Sequence, residues 1–146
     1  MQTIKKTVAI KAPSTTVWNT LTDDAQSRQW FAEFNEGTHA ITDGWQEGSK
    51  VIYTDGDFGM IGRIQVAKPG EELDVEFIGV LEKGAEVYDG PDADALKGGH
   101  ERYILKEQNG TTTLNIEADM DDKYVEDMSN RWDKALVVLK ELAEKN

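Results

Sequence analysis

Hydrophobic positions along the chain follow two periods, and the change between them separates a strand-rich part from one long helix. Within residues 3–11, Ile4, Val8 and Ile10 alternate with polar residues, which predicts a first strand with Lys6 as the exception on its apolar face. Within residues 121–146, apolar residues recur at spacings of three and four, which predicts an amphipathic helix. Its apolar face is formed by Val125, Met128, Trp132, Ala135, Leu136, Leu139, Leu142 and Ala143.

Two short helices are predicted directly after the first strand. Pro13 ends the strand, because proline cannot donate to a strand ladder but suits the start of a helix, and residues 14–21 carry apolar side chains at helical spacing. Asp23 or Asp24 is placed to cap a second short helix that continues through Phe31, since a carboxylate accepts hydrogen bonds from the free amides of a first turn.

Six further strands are predicted between residue 38 and the long helix. Their ranges are 39–42, 50–54, 60–67, 73–81, 100–107 and 111–120, and turn dipeptides rich in glycine separate several of them. The Asn109-Gly110 link is the strongest of these signals, so we expect the last two strands to pair as a hairpin. Residues 84–99 are rich in Gly, Pro, Asp and Ala without clear periodicity, which indicates a mobile loop or a lid candidate.

The parity of apolar residues predicts a sheet that is covered on one face only. Polar residues such as Asp74 and Glu117 occupy the alternate positions, as in an antiparallel sheet with one solvated face. The residues expected to face the long helix are Leu73, Val75, Phe77, Leu114, Ile116, Ala118 and Met120.

These elements predict an α+β fold in one domain spanning residues 1–146. Its curved antiparallel sheet has about six or seven strands, with two short helices after the first strand, and it wraps around the long C-terminal helix. Such an arrangement leaves an enclosed space between sheet and helix, where small molecules bind. An empty apolar void of about 300 Å³ would cost about 7 kcal/mol, so we expect the cavity to be narrow, hydrated or occupied.

Composition narrows the class of partner. The chain has 146 residues, no cysteine and a formal net charge of -12. The absence of cysteine removes disulfides and thiolate chemistry, and the negative charge opposes binding to nucleic acid or anionic membranes. No apolar run is long enough for membrane insertion and no signal peptide is evident, so we expect a cytoplasmic protein. A homodimer is left open.

Metal and cofactor sites are not expected. The two histidines, His39 and His100, lack metal-ligand spacing, and Asp55 and Asp57 fit an aspartate-rich turn better than a calcium loop. No glycine-rich phosphate loop opens a helix. The carboxylates at the end of the last strand suit capping of the long helix better than a cation site; they are Glu117, Asp119, Asp121 and Asp122.

Aromatic and sulfur-containing residues are the main candidates for lining an apolar pocket, because methionine and large aromatic side chains make adaptable apolar surfaces. The predicted ligand-binding residues are Tyr53, Met60, Ile64, Phe77, Tyr103, Ile116, Met120, Met128, Trp132 and Leu136. Candidates for acid and base chemistry on the strands are Tyr53, Arg63, Glu101, Arg102 and Tyr103, although the sequence does not establish which of them approach one another.

The element order resembles the START-like helix-grip superfamily, also called SRPBCC. Local residues resemble its branch named after the activator of the heat-shock-protein-90 ATPase; these are Val8 to Pro13, Val17-Trp18, Leu21 to Asp23, and Trp132 to Leu136 ahead of Leu139-Lys140. The resemblance covers nearly the whole chain and implies a cavity for a hydrophobic or amphipathic molecule, while some branches are cyclases or dehydratases. A full activator also has a separate chaperone-binding domain, to which nothing in this sequence corresponds.

Three functions follow in order of preference. The first is noncatalytic binding of a small hydrophobic or amphipathic molecule, lipids included, between the sheet and the C-terminal helix. The second is a cofactor-free cyclase or dehydratase-type enzyme that uses pocket acid and base residues, for which Tyr53 and Arg63 are the residues to test. The third is a chaperone-accessory interaction protein whose acidic surface meets a partner.

Overall fold

The computed structural model describes all 146 residues, and its elements follow the predicted order. The strands are β1 (Gln2–Ile10), β2 (His39–Thr42), β3 (Lys50–Thr54), β4 (Gly59–Lys68), β5 (Glu72–Glu82), β6 (Ala85–Val87), β7 (His100–Gln108) and β8 (Thr111–Met120). The helices are α1 (Ser14–Thr22), α2 (Asp24–Phe31), α3 (Pro91–Leu96) and α4 (Val125–Lys145), and a short 3-10 turn (Asp122–Tyr124) precedes α4. The predicted α+β architecture is confirmed.

All strands form one antiparallel sheet in the order β1-β8-β7-β5-β4-β3-β2, and β6 pairs with β5 outside this path. Strand β5 accommodates two partners on the same side because β7 pairs with its first half and β6 with its last three residues. The sheet therefore has eight strands rather than six or seven, the additional one being only three residues long.

The turn between β7 and β8 confirms the predicted hairpin. Asn109 and Gly110 have φ values of 54° and 80°, which is the left-handed region that a two-residue turn of this type requires at both positions. The strand ends, Gln108 and Thr111, are direct partners in the register.

The two short helices are fixed by local hydrogen bonds. The Asp23 carboxylate accepts a hydrogen bond from the Gln26 amide at 3.1 Å, so Asp23 rather than Asp24 caps α2. The indole Nε1 of Trp30 donates to the Thr20 carbonyl at 2.9 Å, which joins α2 to α1 and satisfies a buried donor.

Helix α4 lies against β1, α1 and α2. The amino group of Lys6, the exception on the apolar face of β1, lies 2.8 Å from the Asp133 carboxylate on α4. Nearer the C-terminus, the Lys140 Nζ donates to the Ala9 carbonyl at 2.6 Å, and Glu144 accepts from the Lys11 amide at 2.9 Å. These contacts fix the helix along one edge of the sheet. No helix combines the length and apolar character needed to cross a membrane.

The predicted faces of the sheet are confirmed. Phe77 on β5 and Ile116 on β8 are buried on the face toward α4, whereas Asp74 and Glu117 remain partly exposed on the other. Parity identified these faces because side chains alternate strictly along a strand.

The prediction of an irregular loop over residues 84–99 was wrong. This segment forms β6 and α3, and Ala93 of α3 is buried. It is fastened to β5, because the Phe77 amide donates to the Gly99 carbonyl at 2.8 Å and the Gly98 amide donates to the Phe77 carbonyl at 3.0 Å. A three-residue strand and a six-residue helix are too short to give a periodic signal in the sequence.

Candidate ligand cavity between the sheet and the long helix

A cavity of about 80 Å³ lies between α2, α4 and one end of the sheet. The lining residues on the sheet come from the ends of β3 and β8, the starts of β4 and β7 and the middle of β5, which antiparallel pairing places together. The complete lining is Trp30, Phe31, Phe34, Thr38, Tyr53, Met60, Phe77, Glu101, Asp119, Met120, Met128 and Trp132.

Aromatic rings make up half of this lining and hold one another in place. The ring centroids of Trp30 and Trp132 lie 6.2 Å apart, and Phe34 meets Trp132 edge to face at 4.8 Å. Phe31 meets Tyr53 in the same manner at 5.8 Å. These distances fall within the range in which aromatic pairs attract, so the cavity wall is a packed and specific surface.

Glu101 is the polar centre of the cavity. Glu101 is the second residue of β7, and its side chain lies on the same face of the sheet as that of Tyr103. The Tyr103 hydroxyl donates a hydrogen bond to Glu101 Oε1. No protein donor bonds Glu101 Oε2, although the side chain lines the cavity. The residue keeps some exposure through the cavity opening, but protein atoms surround its carboxyl group.

Burial changes the acidity of this group and of its neighbours. Burial raises the pKa of Glu101 from 4.5 to about 7, and the hydrogen bond from Tyr103 opposes the rise. The pKa values of Tyr53 and Tyr103 are also raised, first by burial and then by the nearby Glu101 charge. A carboxyl group in this setting can exchange a proton near neutral pH.

Asp119 is the other acidic residue of the lining, and its carboxylate already has partners. Oδ1 accepts from the Thr3 hydroxyl at 2.5 Å and Oδ2 from the His100 amide at 2.9 Å. No lysine, arginine or histidine lines the cavity. Glu101 is therefore the acidic group with an oxygen free to meet a ligand.

Six of the predicted ligand-binding residues border the cavity: Tyr53, Met60, Phe77, Met120, Met128 and Trp132. The other four, Ile64, Tyr103, Ile116 and Leu136, do not border it and belong to the buried core. The three strand residues among these four, Ile64, Tyr103 and Ile116, are nearly fully buried in this core. Tyr103 differs from the rest because its hydroxyl reaches the cavity group Glu101.

The acid and base candidates separate by strand face. Glu101 and Tyr53 border the cavity, and Tyr103 bonds to Glu101. The candidates Arg63 and Arg102 do not border the cavity, because both lie at the alternate positions of their strands. Arg63 Nη1 donates to the Gly48 carbonyl at 2.9 Å, and Arg102 pairs with Glu72 and Glu117 at 3.1 and 3.2 Å on the solvated face.

Phe34 and Thr38 are cavity residues that the sequence analysis did not name. Both lie in the connection between α2 and β2, where no helical or strand period applies. The Arg131 guanidinium on α4 donates to the Phe34 carbonyl and holds this connection against the helix. The spacing of Phe34 three residues after Phe31 was the available signal, since it continues the apolar face of α2.

Polar groups considered for metal binding have protein partners. His39 Nδ1 lies 3.0 Å from the Gly37 carbonyl, and His100 Nδ1 lies 2.8 Å from Asp74 Oδ1. Asp55 accepts hydrogen bonds from the two amides of its own turn at 2.9 and 3.0 Å. No group of three His, Cys, Asp or Glu side chains is arranged to hold a metal ion.

A protein-family model described as activator of Hsp90 ATPase homolog 1-like protein matches residues 11–144. No curated protein matches the chain by sequence at the significance required. The Aha1 dimer from Colwellia psychrerythraea, solved in solution, is similar with a TM-score of 0.72 and 16% identity over 99% of this chain and 97% of the other.

Two further solved structures are similar. CalU16 from Micromonospora echinospora has a TM-score of 0.69 and 21% identity over 97% of this chain and 75% of the other. DynU16, a protein of the dynemicin biosynthetic locus, has a TM-score of 0.69 and 17% identity over 99% of this chain. The chain spans 48% of the length of DynU16. At these identities, the similarities show the shared fold.

Proposed function

The chain belongs to the activator of Hsp90 ATPase homolog 1-like family and has its START-like helix-grip fold, and from this premise we propose that it binds a small apolar or amphipathic molecule without catalysis. The binding place is the cavity between the sheet and α4. Proteins of this fold family commonly bind hydrophobic ligands. The observation that carries the proposal for this chain is an aromatic and methionine lining that surrounds one carboxyl group with a free oxygen.

The size of the cavity sets the energetics of binding. At roughly 24 cal/mol per Å³, an empty apolar space of about 80 Å³ costs about 2 kcal/mol, which a stable domain can tolerate. A ligand that fills this space removes that cost and adds its own contacts. The cavity is thus narrow enough to exist without a ligand, and filling it is still favourable.

A ligand larger than this space requires the wall to move. Three methionines, Met60, Met120 and Met128, line the cavity and are only partly buried. Methionine is unbranched and changes conformation at low cost, so these side chains are the part of the wall that can adapt. The tryptophan and phenylalanine rings, which are packed against one another, define the rest of the shape.

A thermal-shift screen tests the proposal. Fatty acids, sterols, flavonoids, polyketides and small amines are each added at increasing concentration, and a ligand specific for the folded state raises Tm with its concentration. The matched control is Met128→Trp, which places a larger side chain in the cavity and should abolish the shift. The absence of any shift above solvent controls, or an equal shift in the variant, would contradict binding in this cavity.

A cofactor-free enzyme of cyclase or dehydratase type is the second candidate, and Glu101 is the observation that favours it. A carboxyl group whose pKa is about 7 can accept and return a proton at neutral pH, and Tyr103 is bonded to it. Among the acid and base candidates, Glu101 therefore replaces Arg63 as the residue to test. Turnover of a candidate substrate that is lost in Glu101→Gln, with ligand binding retained, would favour the enzyme over the binding protein.

A homodimer is also proposed for testing, because the similar Aha1 protein from Colwellia psychrerythraea is described as a dimer. Sedimentation equilibrium on the purified chain distinguishes a species of 16.3 kDa from one of twice that mass. A single monomeric species across the micromolar range would contradict it.

A further inference from the structure

The composition of the cavity wall points to the charge of its ligand. We propose, building on the proposed function, that the cavity binds a small organic cation, a substituted amine or quaternary ammonium group, whose charge lies among the aromatic rings and beside Glu101.

The aromatic rings of the cavity wall favour a cationic ligand. Six of the lining residues are aromatic: Trp30, Phe31, Phe34, Tyr53, Phe77 and Trp132. The face of an aromatic ring carries partial negative charge, and several rings around one small space form the kind of cage that attracts alkylated ammonium groups. Tryptophan gives the strongest attraction, and no protein cation lies over the ring of either cavity tryptophan: the cation that lies over an aromatic ring in this protein is Lys123, at Tyr124.

The free oxygen of Glu101 also favours a cationic ligand. Oε1 is occupied by the Tyr103 hydroxyl, whereas Oε2 has no protein donor. A carboxylate surrounded by apolar groups is unfavourable unless an opposite charge or a donor approaches it. A cation in the aromatic space supplies the opposite charge, and the raised pKa of Glu101 is consistent with the absence of any positive protein group there.

The charges around the cavity also disfavour an anion. No lysine, arginine or histidine lines the wall, and Asp119 is a second acidic residue at its edge. A ligand carboxylate would lose its hydration beside an acidic group and gain no positive partner. The formal net charge of -12 acts in the same direction at longer range, since it attracts cations and repels anions. Free fatty acids should accordingly be poor ligands.

Three probes of equal shape test the charge directly. Choline, 3,3-dimethylbutan-1-ol and 3,3-dimethylbutanoate share a trimethyl end group, and the first carries a positive charge there, the second none, and the third a negative charge at the other end. Binding is followed by NMR of ¹³C-labelled methionine methyl groups, because three of the four methionines line the cavity. Choline is expected to bind at least about tenfold more tightly than the neutral alcohol, and the anion is expected not to bind.

Matched variants assign the preference to Glu101. Glu101→Gln removes the charge but keeps an oxygen that can accept from Tyr103, and it should lower choline affinity about tenfold while changing affinity for the alcohol less than about twofold. Glu76→Gln on β5 removes the same charge from the solvated face, where Glu76 lies opposite Arg63 and His100 in the register, and should change neither affinity.

The pH dependence gives a separate readout, because choline does not titrate. The other titratable groups at the cavity are Tyr53 and Asp119 in its lining and Tyr103, which donates to Glu101, and the lining side chains contributed by α2 and α4 are apolar or aromatic. Choline affinity should rise about tenfold between pH 5.5 and pH 8 as Glu101 loses its proton, and Glu101→Gln should abolish the rise.

The outcomes separate this inference from the proposed function. Equal binding of choline and the alcohol would overturn the preference for a cation and leave a binding cavity. Tighter binding of the anion would also overturn it. Methionine signals that respond to none of the probes, together with no thermal shift in the screen above, would contradict the binding function itself.

Discussion

Replacing Glu101 by glutamine should stabilise the protein at alkaline pH and have little effect in acid. In the folded chain, burial raises the pKa of this carboxyl from 4.5 to about 7, so the folded state holds the proton more tightly than the unfolded state. The contribution of the protonated Glu101 carboxyl to the free energy of unfolding is fully present below pH 4.5. It is lost as the pH rises through the folded pKa of about 7.

The magnitude follows from the difference between the two pKa values. At about 1.4 kcal/mol per pH unit, a shift from 4.5 to about 7 corresponds to at most about 3 to 4 kcal/mol. The cavity is partly open to solvent, which screens the charge, so we expect about 1 to 2 kcal/mol. Glutamine carries no charge at any pH and retains an acceptor for the Tyr103 hydroxyl.

Urea unfolding at pH 5 and pH 8.5 measures the effect for the wild-type chain, Glu101→Gln and the control Glu76→Gln. Other titrating groups are the same in all three proteins and cancel in the differences. The free energy of unfolding of Glu101→Gln should exceed that of the wild type by about 1 to 2 kcal/mol at pH 8.5 and by much less at pH 5. A difference that does not change with pH, or a less stable variant at pH 8.5, would refute the claim that the buried Glu101 carboxylate destabilises the folded protein at alkaline pH.

Substitutions at three further positions test the packing and the cap of α2. Trp132→Ala should lower the unfolding free energy by about 3 to 5 kcal/mol, because Trp132 is only 2% exposed, and should also broaden ligand selection in the thermal-shift screen. Gly62→Ala should cost about 1 to 3 kcal/mol, since its Cβ would lie 2.3 Å from Val75 Cγ1; an unchanged Tm would contradict the close approach of β4 and β5. Asp23→Ala should cost about 1 kcal/mol through loss of the Gln26 cap, whereas Asp23→Asn should retain most of the stability, both measured by urea unfolding.

The sequence allowed the sheet and the long helix to be predicted because both depend on local periodicity. The alternation around Phe77 and Ile116 assigned the inner face of the sheet, and the Asn109-Gly110 pair assigned a hairpin whose backbone few other residues adopt. The segment over residues 84–99 was not predictable in this way, because its regular pieces, β6 and α3, are held by hydrogen bonds to β5 rather than by their own pattern.

The site was predictable only in part, since parity gives the face of a strand but not the position along it. Ile64, Tyr103 and Ile116 have the correct parity, yet they belong to the buried core and do not border the cavity. The cavity forms at one end of the sheet, and which end depends on how α4 and the connection carrying Phe34 are placed in three dimensions. Glu101 was visible as a strand carboxylate, but its burial and its bond to Tyr103 required the structure.

The most direct test of the central claim is native mass spectrometry of the purified chain, before and after incubation with choline and with the ligands that raise Tm. The account predicts a chain of 16.3 kDa that carries one small molecule, and loss of that adduct in Met128→Trp, in which a larger side chain enters the cavity. A chain that remains free of any ligand under all these conditions, or an adduct that persists in the variant, would contradict a ligand-binding cavity between the sheet and α4.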